Sequence, residues 1–271
     1  MASAYQTVSF LSDYGSADEF VGVVKSVIRS LAVHVTVIDI THEVPPHDLR
    51  AGGLALVRSA QYLAPGIVLA VVDPGVGTER RAVAIEVAGG EGVFVGPDNG
   101  LLASAVAMTG GAERAVELTN PDYQLPAPGP TFAGRDVFAP AAAHLCNGVD
   151  LAELGPAVDP ITLRPGILPL SEVTAEGVKA EVLWIDRFGN VQLNVDPDDI
   201  VALGDRLRVR HGEAGDAVRT GGRVHTYGDL KTGQLGVIVD SYGLVSLAFD
   251  RMSAAELLKL RPGDAVRLEQ L

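Results

Sequence analysis

Residues Ile67 to Arg81, IVLAVVDPGVGTERR, constrain the fold more than any other stretch of the chain. The aliphatic run from Ile67 to Val72, bounded by Gly66 and by Asp73-Pro74, reads as a strand buried on both faces, the kind found in parallel sheets. Pro74 keeps Asp73 extended. Ligands of open α/β sheets gather outside the carboxyl ends of strands, so Asp73 and the following Arg80 stand where chemistry is expected. The plainer alternative is a turn-capping Asp73 and a solvated Arg80.

The segments around that strand alternate. Thr7 to Leu11 is a β-branched strand that ends in Ser12-Asp13-Tyr14-Gly15, so a second carboxylate lies at a strand end, either as a helix cap or as a ligand-binding group. Residues 17 to 31 place Phe20, Val23, Val24, Val27, Ile28 and Leu31 at helical spacing, with Asp18 and Glu19 expected in the first turn. Val33 to Ile40 is a strand, and Leu49 to Tyr62 a helix. Strand, helix, strand, helix, strand argues for a largely parallel sheet with right-handed crossovers. Between those two elements, His42 and His47 flank a loop stiffened by Pro45 and Pro46; no third ligand keeps a metal-site spacing, so hydrogen bonding or stacking is the expected role. Further strands are expected at 83–87, 92–95 and 114–118, with a turn at Gly96-Pro97-Asp98-Asn99-Gly100 explained by turn chemistry alone.

From Leu151 to Pro169 four prolines interrupt any helical period, and a domain linker is expected there. Beyond it, short strands at 177–186, 191–195, 206–210, 235–239, 244–249 and 265–268 alternate with glycine turns. The expected organisation is an α/β domain over 1–168 and an all-β, barrel-like domain over 169–271.

Composition narrows the classes of partner. A net charge of −13 without an acidic block argues against nucleic acid or an anionic membrane surface and favours a cationic ligand. One cysteine, Cys146, excludes an internal disulfide and points to a reducing cytoplasm. No apolar run reaches the length of a membrane span, and the amino end lacks the pattern of a signal peptide. Gly75-Val76-Gly77 lacks the further glycine and the strand-to-helix setting of a dinucleotide fingerprint.

Seven motifs carry a resemblance: FLSDYG at 10–15, DITHEVPPHD at 39–48, VVDPGVGTERR at 71–81, GPDNGLL at 96–102, TFAGRDVFAPAAA at 131–143, IDRFGN at 185–190 and DSYG at 240–243. In this order and over nearly the whole chain, they resemble the S-adenosylmethionine hydroxide adenosyltransferase family, whose superfamily includes enzymes that attack the same substrate with halide. The resemblance implies hydrolysis of S-adenosyl-L-methionine to adenosine and L-methionine without a cofactor or metal. It also implies a homotrimer whose sites lie between subunits. It assigns water activation to Asp73, Arg80 and a histidine at the third position of TF-x-GRD, which here is Ala133. By the same carry-over Asp13 holds the ribose hydroxyls, Asp186 the methionine ammonium and Ser241 its carboxylate. Asn190 reads adenine and Phe188 packs on the nucleoside, with His47 and Tyr242 as supporting groups.

The chemistry fits these residue types. A sulfonium leaves without acid catalysis, so the difficulty is the nucleophile, water, whose pKa of about 15.7 makes hydroxide scarce. A carboxylate can take the water's hydrogen bond, and a permanent guanidinium cation can stabilise developing hydroxide. Where the halide-using relatives carry an uncharged residue, Asp73 would repel an anion, which favours water. Two alternatives stand beside hydrolysis: a non-catalytic S-adenosylmethionine or adenosine binding protein, motivated by Ala133, and a halide-dependent transferase.

Overall fold

The computed structural model describes residues 5–166, 168–212, 215 and 217–271. The chain divides into two compact units, Met1–Ile167 and Leu168–Leu271. In the first unit, β1 (Thr7–Ser12), β2 (Thr36–Thr41), β3 (Gly66–Val71), β4 (Ala82–Val87), β5 (Gly92–Pro97) and β6 (Arg114–Glu117) form one sheet in the order β2-β1-β3-β5-β4-β6. The pairs β1–β2, β1–β3 and β3–β5 are parallel, while β4 runs antiparallel to β5 and to β6. The link from β4 to β5 is too short to hold a crossover helix, which makes the sheet mixed.

Every residue of β3 is buried, as its unbroken aliphatic run requires. Alternation then sorts side chains between two cores. Phe10 of β1 and Leu69 of β3 pack with Val24 and Ile28 of α1 (Phe20–Leu31) and Leu145 of α4 (Ala139–Cys146). Leu11, Val68 and Ala70 face the other way, toward Leu56 of α2 (Leu49–Ala60) and Val106 of α3 (Ala103–Met108).

Three expectations need correcting. Helix α1 begins at Phe20, so Asp18 and Glu19 lie ahead of its first turn, which holds no acidic residue. The proline-rich stretch is not free linker along most of its length: Leu151 and Leu154 are buried in the first unit's core, and Ala157 bridges to Val116. Proline forbids a regular helix there but permits short turns, and Asp150 and Asp159 cap two of them by accepting the Ala152 and Ile161 N–H groups at 2.9 and 3.1 Å. The third is a strand at Ala217–Val224, absent from the sequence reading and described next.

In the second unit, β8 (Gly177–Ile185), β9 (Val191–Leu193), β10 (Arg206–His211), β11 (Ala217–Val224), β12 (Leu235–Val239), β13 (Val245–Ala248) and β14 (Ala265–Gln270) form a ring that closes through β14–β8 pairing, a seven-strand barrel. The short β7 (Glu172–Thr174) pairs with β8 outside the ring. Val182, Leu193, Leu207, Val209, Leu247 and Leu268 fill the interior. Glycines hide β11 from sequence patterning, yet Gly221 is what fits: a Cβ there would stand 2.8 Å from the Val237 side chain.

Candidate active site

Strand order determines where a ligand can sit. Moving from β1 to β2 goes one way along the sheet and from β1 to β3 the other, so the order reverses between β1 and β3. Crevices form at such reversals, outside the carboxyl ends of the strands. Asp13 follows β1 and Asp73 follows β3, and the Asp13 N–H donates to the Val71 carbonyl at 3.3 Å, tying the two strand ends together. A cleft of about 260 Å³ opens there, lined by Asp13, Tyr14, His47, Asp73, Phe132 and Ala133 among others.

Asp73 and Arg80 form one unit. The Arg80 Nε donates to both Asp73 oxygens, at 2.9 and 3.0 Å, and Nη2 contacts Oδ2. Both side chains are largely buried, at 6% exposure for Asp73 and 15% for Arg80. The guanidinium carbon lies 5.3 Å from the centre of the Phe138 ring, a cation–π contact that fixes the arginine from its other side. Each carboxylate oxygen has two acceptor directions, so a forked arginine does not exhaust them. The loop between the partners is tight. The Thr78 hydroxyl donates to the Gly75 carbonyl at 2.6 Å, and Val76 N–H to the Asp73 carbonyl at 3.2 Å.

An aromatic wall completes the cleft. Tyr14, Phe20 and Phe132 meet with centroids 5.0 to 5.7 Å apart, and Arg135 lies 5.1 Å over the Phe132 ring. Burial pushes the Tyr14 hydroxyl well above its ordinary pKa, helped by the Asp13 and Asp73 charges and opposed by Arg80. Ala133 immediately precedes one turn of π-helix, Gly134–Phe138, that runs into α4. Such turns recur at functional sites. Gly134 is required, because a Cβ there would collide with the Tyr14 hydroxyl.

The second unit holds its candidate residues on two turns. Asp186 is engaged by its own hairpin: Oδ1 accepts the Phe188 and Asn190 N–H groups at 2.9 and 2.8 Å, and Oδ2 the Asn190 side-chain amide at 2.8 Å. This leaves Phe188 79% exposed at the tip. Ser241 and Tyr242 occupy the β12–β13 turn, where Asp240 accepts from Tyr242 N–H, Leu244 N–H, the Ser246 hydroxyl and the Gln192 amide at 2.7 to 3.3 Å. The Tyr242 ring meets Trp184 edge-on at 6.1 Å. Asp13, His47, Asp73, Arg80 and Ala133 are therefore gathered in the first unit, and Asp186, Phe188, Asn190, Ser241 and Tyr242 in the second.

Sequence reading missed Tyr14, Phe20 and Phe132 as a wall, and Asp240 as the holder of its turn. Phe20 read as part of a helix's apolar face, and Tyr14 and Phe132 only as members of motifs, since only the fold brings residues 14, 20 and 132 together. The D-x-x-G pattern of Asp240-Ser241-Tyr242-Gly243 is a turn signal that was available. Asp98, read as a turn residue, does more: it accepts from Arg81 Nε at 2.9 Å and from Arg164 N–H at 2.8 Å, clamping residue 164 to the sheet.

An α/β unit with a carboxylate-lined cleft at its strand-order reversal, followed by a closed barrel bearing polar turns, defines the class. The chain belongs to the SAM hydroxide adenosyltransferase family: residues 8–155 match that family's N-terminal domain and residues 180–267 its C-terminal domain. It is similar to a Salinispora tropica protein named (R)-S-adenosyl-L-methionine hydrolase, at 49% identity over 96% of this chain and 97% of that one. A protein of an Actinoplanes species named fluorinase is 28% identical over 97% of each. A solved Thermotoga maritima structure, described as an uncharacterized conserved protein, superposes with a TM-score of 0.87 at 33% identity, covering 97% of this chain and 99% of that one. Among the described residues, no helix is long and apolar enough to cross a membrane.

Proposed function

We propose that this chain hydrolyses S-adenosyl-L-methionine to adenosine and L-methionine, by in-line attack of water on the ribose C5′. The observation that carries the reading is the buried Asp73–Arg80 pair, whose carboxylate partner lines the cleft. Asp73 accepts a hydrogen bond from the attacking water, Arg80 stabilises the hydroxide character that develops, and the C–S bond electrons leave on sulfur as a neutral thioether. The proton hydrogen-bonded to Asp73 passes on to solvent, and the water's other proton stays on oxygen as the 5′ hydroxyl of adenosine. Asp13 takes the ribose hydroxyls and His47 flanks them. From the second unit, Asp186 pairs with the substrate ammonium, Ser241 holds its carboxylate, Asn190 reads adenine, and Phe188 and Tyr242 pack on the two ends. The reaction needs no cofactor or metal, because the leaving group is already activated.

The reading extends to a cytoplasmic homotrimer with its sites between subunits, supported by family membership and, for the compartment, by the single cysteine. Ala133 occupies the position of a proton-shuttling histidine, and its methyl can neither accept nor pass a proton. Activity is therefore expected to be weak but present, since positioning and electrostatics persist without the shuttle. Water rather than halide is favoured by Asp73, whose charge opposes an anionic nucleophile, and by the 49% identity to the protein named hydrolase against 28% to the one named fluorinase.

Chromatography of reactions with S-adenosylmethionine tests this. Ala133→His is expected to release adenosine and methionine about 100- to 10,000-fold faster than the chain as it stands. If both forms bind and neither turns over, the binding-protein reading replaces the enzyme. A 5′-halo-5′-deoxyadenosine peak in chloride or fluoride would support the transferase instead.

A further inference from the structure

One line of side chains joins the end of β1, strand β2 with the residue that follows it, and helix α1, outside the cleft. Ser12 Oγ lies 2.8 Å from His42 Nδ1, His42 Nε2 lies 3.0 Å from Asp39 Oδ1, and Lys25 Nζ donates to Asp39 Oδ2 at 2.8 Å. Burial pushes the Asp39 carboxyl up, but the hydrogen bonds from Lys25 and His42 outweigh it and hold the group below its ordinary value. An ionised carboxylate only accepts, so Nε2 carries a proton toward Asp39, while Nδ1 shares its hydrogen bond with the Ser12 hydroxyl. The order of groups is that of a hydrolytic triad, but Ser12 has no exposed surface and its oxygen already accepts the Tyr14 N–H at 3.3 Å. No substrate can reach it.

What the line does hold is Asp13, which lies between Ser12 and Tyr14. His42 fixes that loop twice, by its ring to Ser12 and by its carbonyl, which accepts the Gly15 N–H at 2.8 Å. The ring itself packs edge-on against Phe10, with centroids 4.6 Å apart. The loop after β2 also reaches Asp13 directly: the His47 N–H donates to Asp13 Oδ2 at 2.9 Å from a left-handed backbone at φ 68°.

We propose that His42 is a positioning residue that fixes the Asp13 carboxylate to receive a vicinal diol, the ribose of the bound nucleoside. The inference rests on the reading of the cleft given above. A carboxylate that accepts two hydroxyls must be held in direction as well as in place, and Asp13 stands on a loop rather than within its strand. Ser12, His42 and Asp39 supply the missing rigidity.

Calorimetric titration of the full chain with adenosine and with 2′,3′-dideoxyadenosine measures what the diol contributes. The chain as it stands is expected to prefer adenosine by about tenfold or more, from hydrogen bonds to a charged acceptor. His42→Phe keeps a ring against Phe10 and removes both side-chain hydrogen bonds; it is expected to cut that preference to about threefold or less. Ser12→Ala, which removes one oxygen, should narrow it likewise and decides the matter if His42→Phe does not fold. A preference kept in full by a folded variant overturns the proposal, since general loosening weakens both nucleosides alike. If the unaltered chain is blind to the diol, the Asp13 assignment falls and this inference with it. Diol discrimination without turnover by any form would instead sink the hydrolase reading and leave this one standing.

Discussion

At the residue scale, Asp73 and Arg80 are balanced against each other. Asp73→Asn keeps the shape and removes the charge, leaving a largely buried guanidinium without its counter-ion. The expected result is a loss of about 100-fold or more in adenosine release, with S-adenosylmethionine affinity changed much less, readable from single-turnover rates beside equilibrium titration. Cys146 gives a test in the other direction. Burial among Leu145, Ile28 and their neighbours pushes its thiol from 9.0 up to about 12. The folded state therefore resists forming the thiolate that the unfolded chain forms freely. That stability is present below pH 9 and declines as the pH rises through the thiol's unfolded value toward its folded one. At pH 10.5 the term is about 2 kcal/mol. Urea midpoints at pH 8 and 10.5 should fall further apart for the chain as it stands than for Cys146→Ala; equal separations would discount the buried thiol.

At the element scale, the π-turn over Gly134–Phe138 and the loop after β1 are interlocked. Gly134→Ala drives a methyl into the Tyr14 hydroxyl, and overpacking of this kind typically costs about 1–3 kcal/mol. Denaturation should report that loss, and adding Tyr14→Phe should recover part of it, since the hydroxyl is the nearest obstacle. This scale also marks how far the sequence can be read. The strands β1, β3 and β5 were legible because their apolar runs and bounding turns are local signals. The antiparallel placement of β4 was not, because pairing direction depends on where the connection sends the chain. Strand β11 was hidden by the glycines that its packing against Val237 demands. The site divided in the same way. Asp13, Asp73 and Arg80 could be read from strand ends and from the family motifs, whereas the aromatic wall and the Ser12–His42 contact join residues that only the fold brings together.

For the whole molecule, a proposed trimer makes a direct claim. Analytical ultracentrifugation should find about three times the 28.2 kDa chain mass at micromolar concentration. A monomer that still turns over S-adenosylmethionine would remove the sites between subunits from the proposed function. The net charge of −13 favours a substrate whose sulfonium and ammonium are both cationic, and their encounter rate should fall with added salt.

The barrel closes by joining β8 to β14, its earliest and latest strands in chain order, which makes that seam the most distant pairing in the second unit. During synthesis from the amino end, β8 emerges long before its partner, with one backbone edge open. Translation speed between the two strands then sets how long that edge waits exposed to other nascent chains. The seam is where a cell producing this protein too quickly would first see it aggregate.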